Sequence, residues 1–268
     1  MTTPPLSRTD RMVATKDGPI GWIVFNNPAR RNAVSTDMWE ALAEIVADYA
    51  RDDAIRVIVL RGAGGKAFVS GADISEFEQK RSTPESTEAY RQLADRATLA
   101  LQHVGKPTIA MIEGYCIGGG VSLALSCDLR IAAESARFGV PAARLGLGYE
   151  LPGVRKLVDV VGPAFAKEIF FTARQFSADE ALAMGLINRA VPDGQLEVHV
   201  QEYAASIAAN APLTVASIKT IVGELLKDDA VRDEALCQRL VDQCFDSEDY
   251  VEGRRAFMEK RQPAFTGR

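Results

Sequence analysis

The chain has 268 residues, of which 47% are hydrophobic and 25% are charged, as expected of a globular protein with a sizeable core. Lys and Arg number 31 against 36 Asp and Glu, so the net charge of -5 excludes the global positive field typical of nucleic-acid-binding proteins. Four Cys without CxxC spacing and two His cannot complete the usual zinc sites, and they indicate reduced thiols in a cytoplasmic protein. No stretch approaches the roughly 18 apolar residues of a membrane span, so no membrane is expected as a partner. Because of the negative net charge, no nucleic acid is expected either.

The first part of the chain carries strand signals followed by a helix signal. Alternation over residues 11–15 and an apolar run over 21–25 predict two strands joined as a hairpin through Asp17-Gly18. From Ser35, apolar residues recur at spacings of three and four, which predicts a helix. Residues 57–60 form a short apolar run typical of a strand that is covered on both faces.

The middle of the chain repeats this alternation and predicts an α/β core. Strands are predicted over residues 107–112 and 129–133, and helices over 121–126, 163–172 and 177–184. Residues 68–72 are interpreted as a loop before a helix capped by Asp73 with Glu76, and residues 114–120 as a turn. The polar segment 79–90 is interpreted as a mobile loop that covers the ligand.

Beyond Pro192 the pattern becomes purely helical. Three amphipathic helices are predicted between Leu196 and Phe245, with no strand between them. We therefore divide the chain into an α/β core over residues 1–195 and a helical C-terminal region over residues 196–268.

Two loops offer unpaired backbone N–H groups near the start of a helix. Gly118-Gly119-Gly120 stands between an apolar strand and a helix start, where an oxyanion or a phosphate could bind. Its spacing fits neither the dinucleotide fingerprint nor a Walker loop, and a tight turn without any ligand is the alternative. Ser70-Gly71-Ala72-Asp73 has a similar setting, and two converging N–H donors would form an oxyanion hole.

These segments resemble the signature segments of the crotonase (enoyl-CoA hydratase/isomerase) superfamily. The likeness runs from Lys66 to Ile74 and from Gly114 to Gly120, and it extends over nearly the whole chain. It implies a crotonase-like spiral of ββα units, a C-terminal helical region that assembles a homotrimer or a hexamer of two trimers, and an acyl-CoA thioester substrate. By the same resemblance, the backbone N–H groups of Ala72 and Gly119 hold the thioester oxygen as it gains enolate charge.

The sequence departs from the family at its acid and base positions. Hydratases of the family use two Glu, and the matching positions here are Ser122 and Ala142. Glu150 instead matches the acidic residue that some enoyl-CoA and dienoyl-CoA isomerases use as a base. We expect Leu147, Tyr149 and Leu151 to form a partly apolar wall that desolvates this carboxylate. A solvated loop carboxylate is the alternative interpretation of Glu150.

Other residues with reactive side chains receive structural interpretations. Tyr149 is either a second acid or a packing aromatic residue, and we favour packing. Asp128 is expected to bond backbone or a basic neighbour, while Cys116 lacks an activating neighbour in the local sequence. His103, placed in a loop before a strand, and His199, placed in an amphipathic helix, are expected to be solvated or packed.

The resemblance also implies a set of contacts to coenzyme A. Arg30 and Arg31 would meet phosphates, whereas Lys66, Asp73 and Ile74 would border the adenine. Phe257 and Lys260 match family residues that reach the adenine and a phosphate, often from a neighbouring subunit. Each of these residues has a simpler alternative, because Arg and Lys on loops are usually solvated and Asp73 serves as a helix cap.

The sequence thus favours an enzyme that stabilises a thioester enolate. Isomerisation of a Δ3-enoyl-CoA to the Δ2 form is preferred over hydration, because one base suffices and no water need be activated. No cofactor beyond the CoA moiety of the substrate is expected. Another reaction of the superfamily, such as hydration, hydrolysis, decarboxylation or C–C cleavage, and a catalytically silent acyl-CoA-binding protein are the alternatives.

Overall fold

The structure, a computed structural model, describes residues 9–73 and 84–268. Its strands are β1 (Met12–Asp17), β2 (Ile20–Phe25), β3 (Val57–Gly62), β4 (Ala67–Val69), β5 (Thr108–Ile112), β6 (Tyr115–Ile117), β7 (Leu129–Ala133), β8 (Arg137–Gly139), β9 (Phe176–Ser177) and β10 (Arg189–Val191). Its helices are α1 (Thr36–Arg51), α2 (Pro84–His103), α3 (Gly119–Ala124), α4 (Ala142–Leu145), α5 (Leu151–Thr172), α6 (Ala178–Ala183), α7 (Leu196–Ala208), α8 (Pro212–Leu225), α9 (Glu234–Phe245) and α10 (Glu248–Glu259).

The strands form two sheets, and the chain visits both sheets in each turn of a spiral. The six-stranded sheet has the order β1-β2-β3-β5-β7-β10, and the four-stranded sheet has the order β4-β6-β8-β9. The pairs β3–β4, β5–β6 and β7–β8 each contribute one strand to the first sheet and the next strand to the second. Strands β3, β5 and β7 run parallel to one another in the first sheet, and strands β4, β6 and β8 do so in the second. The α/β class and the spiral of ββα units are therefore confirmed.

Longer predicted elements agree with the structure. Strands β1 and β2 form the predicted hairpin, in which Asp17 and Ile20 are the last residue pair before the turn. Gly18 lies in this turn with a φ of +54°. Helix α1 follows Ser35 as its N-cap and buries the predicted apolar stripe. Residues 57–60 of strand β3 are all buried, which explains their unbroken apolar run.

Short strands are the main difference from the sequence prediction. Strands β4, β6 and β8 contain three residues each, which is too few to show an alternating pattern. The predicted loop over residues 68–72 and the predicted turn over 114–120 therefore include strand residues. This difference matters because the candidate site begins at the ends of β4 and β6.

Two helices also differ from the prediction. The proposed mobile loop over residues 79–90 is wrong from Pro84 onward, where α2 begins, and His103 ends that helix rather than lying in a loop. Residues 79–83, and the helix predicted after Asp73, lie outside the described residues. Helix α5 consists of two helical segments that meet at a kink at Gly162, whose φ is +74°. The segment from Pro163 to Thr172 is the predicted helix, whereas the segment that begins at Leu151 was not predicted.

The C-terminal region contains four helices in the described chain, one more than predicted. Helix α7 covers the outer face of the six-stranded sheet, where Leu196, Val200 and Ala204 pack in an apolar cluster with Val57 and Val59. Within the described ranges, no single helix has the length and hydropathy of a membrane span, and α7 and α8 reach it only as a pair bent by 102°. The boundary between residues 195 and 196 stays a prediction.

Candidate active site

The candidate site lies where two neighbouring parallel strands end. Strands β4 and β6 pair in parallel, with Val69 opposite Cys116, so the loops that follow them emerge at the same edge of the sheet. The first loop continues through Gly71 and Ala72, and the second passes through Gly118 into helix α3. Topology thus brings together the two segments whose N–H groups were predicted to act as a pair.

The first loop is held by a bridge to Val34. The Val34 N–H donates to the Gly71 carbonyl at 2.9 Å, and the Asp73 N–H donates to the Val34 carbonyl at 3.0 Å. In a parallel bridge of this kind, the N–H of the intervening Ala72 points away from Val34. Gly71 has a φ of +114°, a conformation that a residue with a side chain rarely adopts. The bridge therefore directs the Ala72 N–H away from Val34.

The second loop turns tightly into helix α3. The Gly118 N–H donates to the Gly139 carbonyl on β8 at 2.8 Å, and Gly118 has a φ of +56°. Helix α3 starts at Gly119, and the first N–H groups of a helix have no partner within it. A Cβ on Gly120 would lie only 2.0 Å from the Val69 carbonyl oxygen, so this glycine allows α3 to pack against β4.

The two predicted donors lie side by side. A Cβ built on Gly119 would stand 3.7 Å from the Ala72 nitrogen and 3.6 Å from the Gly71 Cα. Within the part of the chain that the structure describes, neither the Ala72 N–H nor the Gly119 N–H donates a hydrogen bond. Both residues are partly exposed, so a ligand oxygen can reach these groups. The structure brings the two amides together, and their role as oxyanion donors stays a prediction.

The two positions that were predicted to match the Glu pair of family hydratases carry no acid or base. Ala142 begins α4 and is buried in the larger core, and Ser122 lies on α3 one turn after Gly119. A hydroxyl and a methyl group cannot act as carboxylate acids or bases.

Glu150 is the last residue of the loop before helix α5 and the N-cap of this helix, so its position agrees with the alternative interpretation of a loop carboxylate. Its side chain is 64% exposed, and its Oε2 lies 3.5 Å from Nη1 of Arg91 on α2. The expected apolar wall is wrong, because Leu147 and Leu151 are 54% and 80% exposed. Helix α5 packs against α3, so Glu150 begins an element that contacts the helix of the second loop.

Tyr149 packs as predicted. Its ring lies edge-on to Phe170, with 4.9 Å between the ring centroids, and it contacts the larger core. Burial raises the pKa of Tyr149 above its usual value, which keeps the phenol protonated at neutral pH.

The other reactive side chains have structural positions. The Asp128 carboxylate accepts hydrogen bonds from the Thr108 N–H at 2.7 Å and from Lys219 Nζ at 2.8 Å, which confirms its predicted structural role. Cys116 is fully buried, and burial raises the pKa of its thiol far above the usual value, so a nucleophilic role is disfavoured. His103 is exposed, as expected, and His199 stacks on Tyr203.

Several residues predicted to contact CoA surround the first loop. Arg30 Nη1 lies 3.2 Å from Oδ1 of Asp73, so this aspartate belongs to an ion pair. The Arg31 guanidinium lies 5.1 Å from the centre of the Tyr115 ring, and the exposed Lys66 accepts the Tyr115 N–H at its carbonyl. These three cations lie on chain segments next to the first loop, and Arg30 is paired with Asp73. Ile74 lies outside the described residues.

The two C-terminal candidates lie elsewhere in the chain. Phe257 is 82% exposed on α10, and Lys260 ends this helix in a left-handed conformation. In the described part of the chain, their hydrogen bonds stay within the C-terminal region. The structure therefore does not bring Phe257 and Lys260 to the two loops within one chain.

Asn32 is a structural residue whose importance the sequence reasoning missed. Its fully buried side chain donates to the carbonyls of Ala63 at 2.9 Å and Ala67 at 2.7 Å, and it accepts the Asn27 N–H at 3.0 Å. It thus ties the segment that carries the arginines to the start of β4. Asn adopts a positive φ more readily than most residues with side chains. The Asn directly after Arg31 was therefore a possible sequence signal for the φ of +55° that Asn32 adopts.

Paired backbone donors at the edge of a two-sheet ββα spiral define the class of α/β proteins with a candidate oxyanion hole. Comparison with known proteins narrows this class. The profile of the Enoyl-CoA hydratase/isomerase family matches residues 15–268. The chain is 34% identical over 253 residues to the short-chain-enoyl-CoA hydratase of Clostridium acetobutylicum, covering 94% of this chain and 96% of that protein. It is also 36% identical over 250 residues to the (E)-benzylidenesuccinyl-CoA hydratase of Thauera aromatica, covering 92% and 96% of the two chains.

Solved structures agree with these sequence comparisons. An enoyl-CoA hydratase/carnithine racemase from Magnetospirillum magneticum superimposes with a TM-score of 0.91 at 38% identity, covering 98% of each chain. The enoyl-CoA hydratase of Bacillus anthracis also gives a TM-score of 0.91, at 30% identity, covering 97% of this chain and 100% of that one. The chain belongs to the enoyl-CoA hydratase/isomerase family, that is, to the crotonase superfamily.

Proposed function

We propose that this protein binds an acyl-CoA thioester and moves the double bond of a Δ3-enoyl-CoA to the Δ2 position. The observation that carries the proposal is the pair of N–H groups of Ala72 and Gly119 on adjacent loops, which have no hydrogen-bond partner among the described residues. Donors fixed where negative charge develops stabilise an enolate more than the neutral thioester. Basic residues beside these loops supply the charge that the CoA phosphates need.

The reaction requires one base and no water. Glu150 removes a proton from C2, the electrons pass into a dienolate whose oxygen the two amides hold, and the same proton returns at C4. The double bond moves from C3–C4 to C2–C3, and the carboxylate ends as it began. Ser122 and Ala142 supply no second carboxylate, which favours this chemistry over two-carboxylate hydration. The scheme uses no cofactor beyond the CoA moiety of the substrate.

Oligomerisation would complete the CoA site. Exposed apolar residues are frequent in the C-terminal region, among them Ile218, Leu225, Val251 and Phe257. Such a surface is expected to be covered by another subunit. We propose a homotrimer or a hexamer in which Phe257 and Lys260 reach the CoA of a neighbouring chain. The cytoplasmic location stays a prediction.

Exchange of the C2 proton tests the proposal directly. Purified protein is incubated with a 3-enoyl-CoA in deuterium oxide, and deuterium uptake and double-bond position are followed by mass spectrometry and NMR. We expect exchange and isomerisation, and we expect Glu150→Gln to lower both rates by about a hundredfold or more, as for loss of a general base. Glu113→Gln is the matched control, because Glu113 is a partly exposed carboxylate just before the glycine turn. Full activity in Glu150→Gln would exclude Glu150 as the base.

Hydration is the second candidate, and the names of the relatives favour it. Both curated relatives described above are hydratases. Supplying crotonyl-CoA distinguishes the two functions. A hydratase adds water to this substrate, whereas its double bond already lies between C2 and C3, the position to which the isomerase would move it. Hydration at the rate of isomerisation or faster would overturn our preference. Binding of CoA thioesters without exchange or hydration would indicate a silent binding protein.

A further inference from the structure

Helix α2 is fixed against the first loop of the candidate site. The Tyr90 hydroxyl on this helix accepts a hydrogen bond from Trp39 Nε1 at 2.8 Å and lies 3.4 Å from the Val34 carbonyl oxygen. That same carbonyl accepts the Asp73 N–H, while the Val34 N–H donates to Gly71. Helix α2 is therefore attached to the residue that pairs with the loop of the first amide.

The next residue along α2 reaches Glu150. The Arg91 guanidinium donates to Glu88 through Nε at 2.7 Å, and its Nη1 lies 3.2 Å from Asp95 and 3.5 Å from Glu150. Glu88 and Asp95 lie one turn before and after Arg91 on the same helix, so they hold the guanidinium in place. Among the described residues, Arg91 forms the only ion pair of the Glu150 side chain.

This ion pair is better suited to orientation than to stability. Its side chains are 42% and 64% exposed, and exposed pairs contribute at most about 1 kcal/mol to folding. A Glu side chain that begins a helix has several rotamers, and a single cation in reach selects among them. Orientation matters for a base, since a misplacement of about 1 Å can lower a rate about a hundredfold.

We propose that Arg91 is a positioning residue for Glu150 and that helix α2 sets the place of this carboxylate relative to the amides of Ala72 and Gly119. One helix then joins the oxyanion loop, through Tyr90, to the base, through Arg91. The inference rests on the proposed function, because it requires Glu150 to be the base.

Other charged groups also lie near the pair formed by Arg91 and Glu150. Glu88 and Asp95 face Arg91 from α2 itself. Lys156 lies on α5 and donates to Ser126 at 3.3 Å; burial lowers its pKa, and Asp95 opposes that shift. All three stay unchanged in the variants described next, so differences between variants report on Arg91.

The experiment measures C2 exchange of a 3-enoyl-CoA at neutral pH, with kcat and KM separated. In Arg91→Gln we expect kcat to fall about tenfold and KM to change less than about twofold. Arg91→Lys should restore part of kcat, because it keeps the charge without the planar fork. Arg96→Gln removes the same charge from an exposed site on the same helix and should match the wild type.

The outcomes separate failure of the inference from failure of the proposed function. If Glu150→Gln is inactive while Arg91→Gln matches Arg96→Gln in both kcat and KM, Glu150 is the base and Arg91 does not position it. If Glu150→Gln keeps full exchange, the base assignment and the inference are both wrong. A fall in kcat that Arg91→Lys does not rescue at all would point to a packing role and would overturn the proposal.

Discussion

The spiral core and the end of the C-terminal region, α10 with the tail that follows it, are fixed by different kinds of contact. Around the candidate site, backbone approaches backbone so closely that a single methyl group on Gly120 would overlap the Val69 carbonyl. In the C-terminal region, by contrast, two buried carboxylates hold the tail. Asp249 accepts the N–H groups of Thr266 and Gly267, and Glu252 accepts that of Ala264.

The contrast separates backbone contacts, which can support the reaction chemistry, from side-chain contacts, which can adapt to conditions and partners. Donors made of backbone N–H groups depend on the fold and not on side-chain identity, so they persist when acid and base residues change. Contacts made by side chains respond to pH, to salt and to a partner chain. We therefore expect the core to resist changes of solution conditions that loosen the C-terminal region. Four predictions test this contrast, and the largest effect comes first.

Gly120→Ala should disrupt the core. Its Cβ would lie 2.0 Å from the Val69 oxygen, and both atoms belong to the backbone framework, so relief requires moving α3 or β4. We expect a loss of more than about 3 kcal/mol in the free energy of unfolding, or insoluble protein. Urea denaturation measures this loss. Gly223→Ala in helix α8, with nothing within 4 Å, is the control and should be neutral or slightly stabilising.

Gly119→Ala should remove activity while the fold remains. The added methyl group makes ordinary contacts of 3.6–3.7 Å and stands beside the Ala72 nitrogen, where it covers the donor. We expect C2 exchange to fall about a hundredfold, with the urea midpoint close to that of the wild type. Unchanged exchange would show that the two amides do not hold the reacting oxygen.

Acid should loosen the C-terminal region first. Hydrogen bonds from Arg261, the Ala264 N–H and Arg255 lower the pKa of Glu252 well below its usual range. Because the folded pKa is depressed, this stabilisation is complete above the unfolded pKa of about 4.3 and is lost as the pH falls below it. Urea midpoints between pH 7 and pH 3 should fall less steeply in Glu252→Gln than in the wild type. Glu248→Gln, an exposed neighbour on α10, should keep the wild-type slope.

Tyr149→Phe should have the smallest effect. The ring keeps its contact with Phe170, and the phenol removed is protonated and plays no part in the proposed proton transfer. We expect exchange and hydration rates within about twofold of the wild type. A tenfold loss of exchange with unchanged stability would identify Tyr149 as a second acid.

Much of the site was predictable from the sequence because its chemistry is local. The segments around Ala72 and Gly119 are recognisable by their glycines between a predicted strand and a predicted helix. The sequence also shows directly that positions 122 and 142 are not Glu. The environment of Glu150 was not predictable in the same way. Leu147 and Leu151 look like an apolar wall in sequence, but in the structure they point largely into solvent.

By itself, the sequence determined the α/β class, the long helices and strands, and the two glycine loops, because periodicity and turn residues act over a few neighbouring positions. Only the tertiary structure decided the three-residue strands that place the loops side by side and the contact between Arg91 and Glu150. The physical reason is distance along the chain. A strand of three residues is stable only when its partner is present, and residues 91 and 150 meet only because two helices pack around a common core.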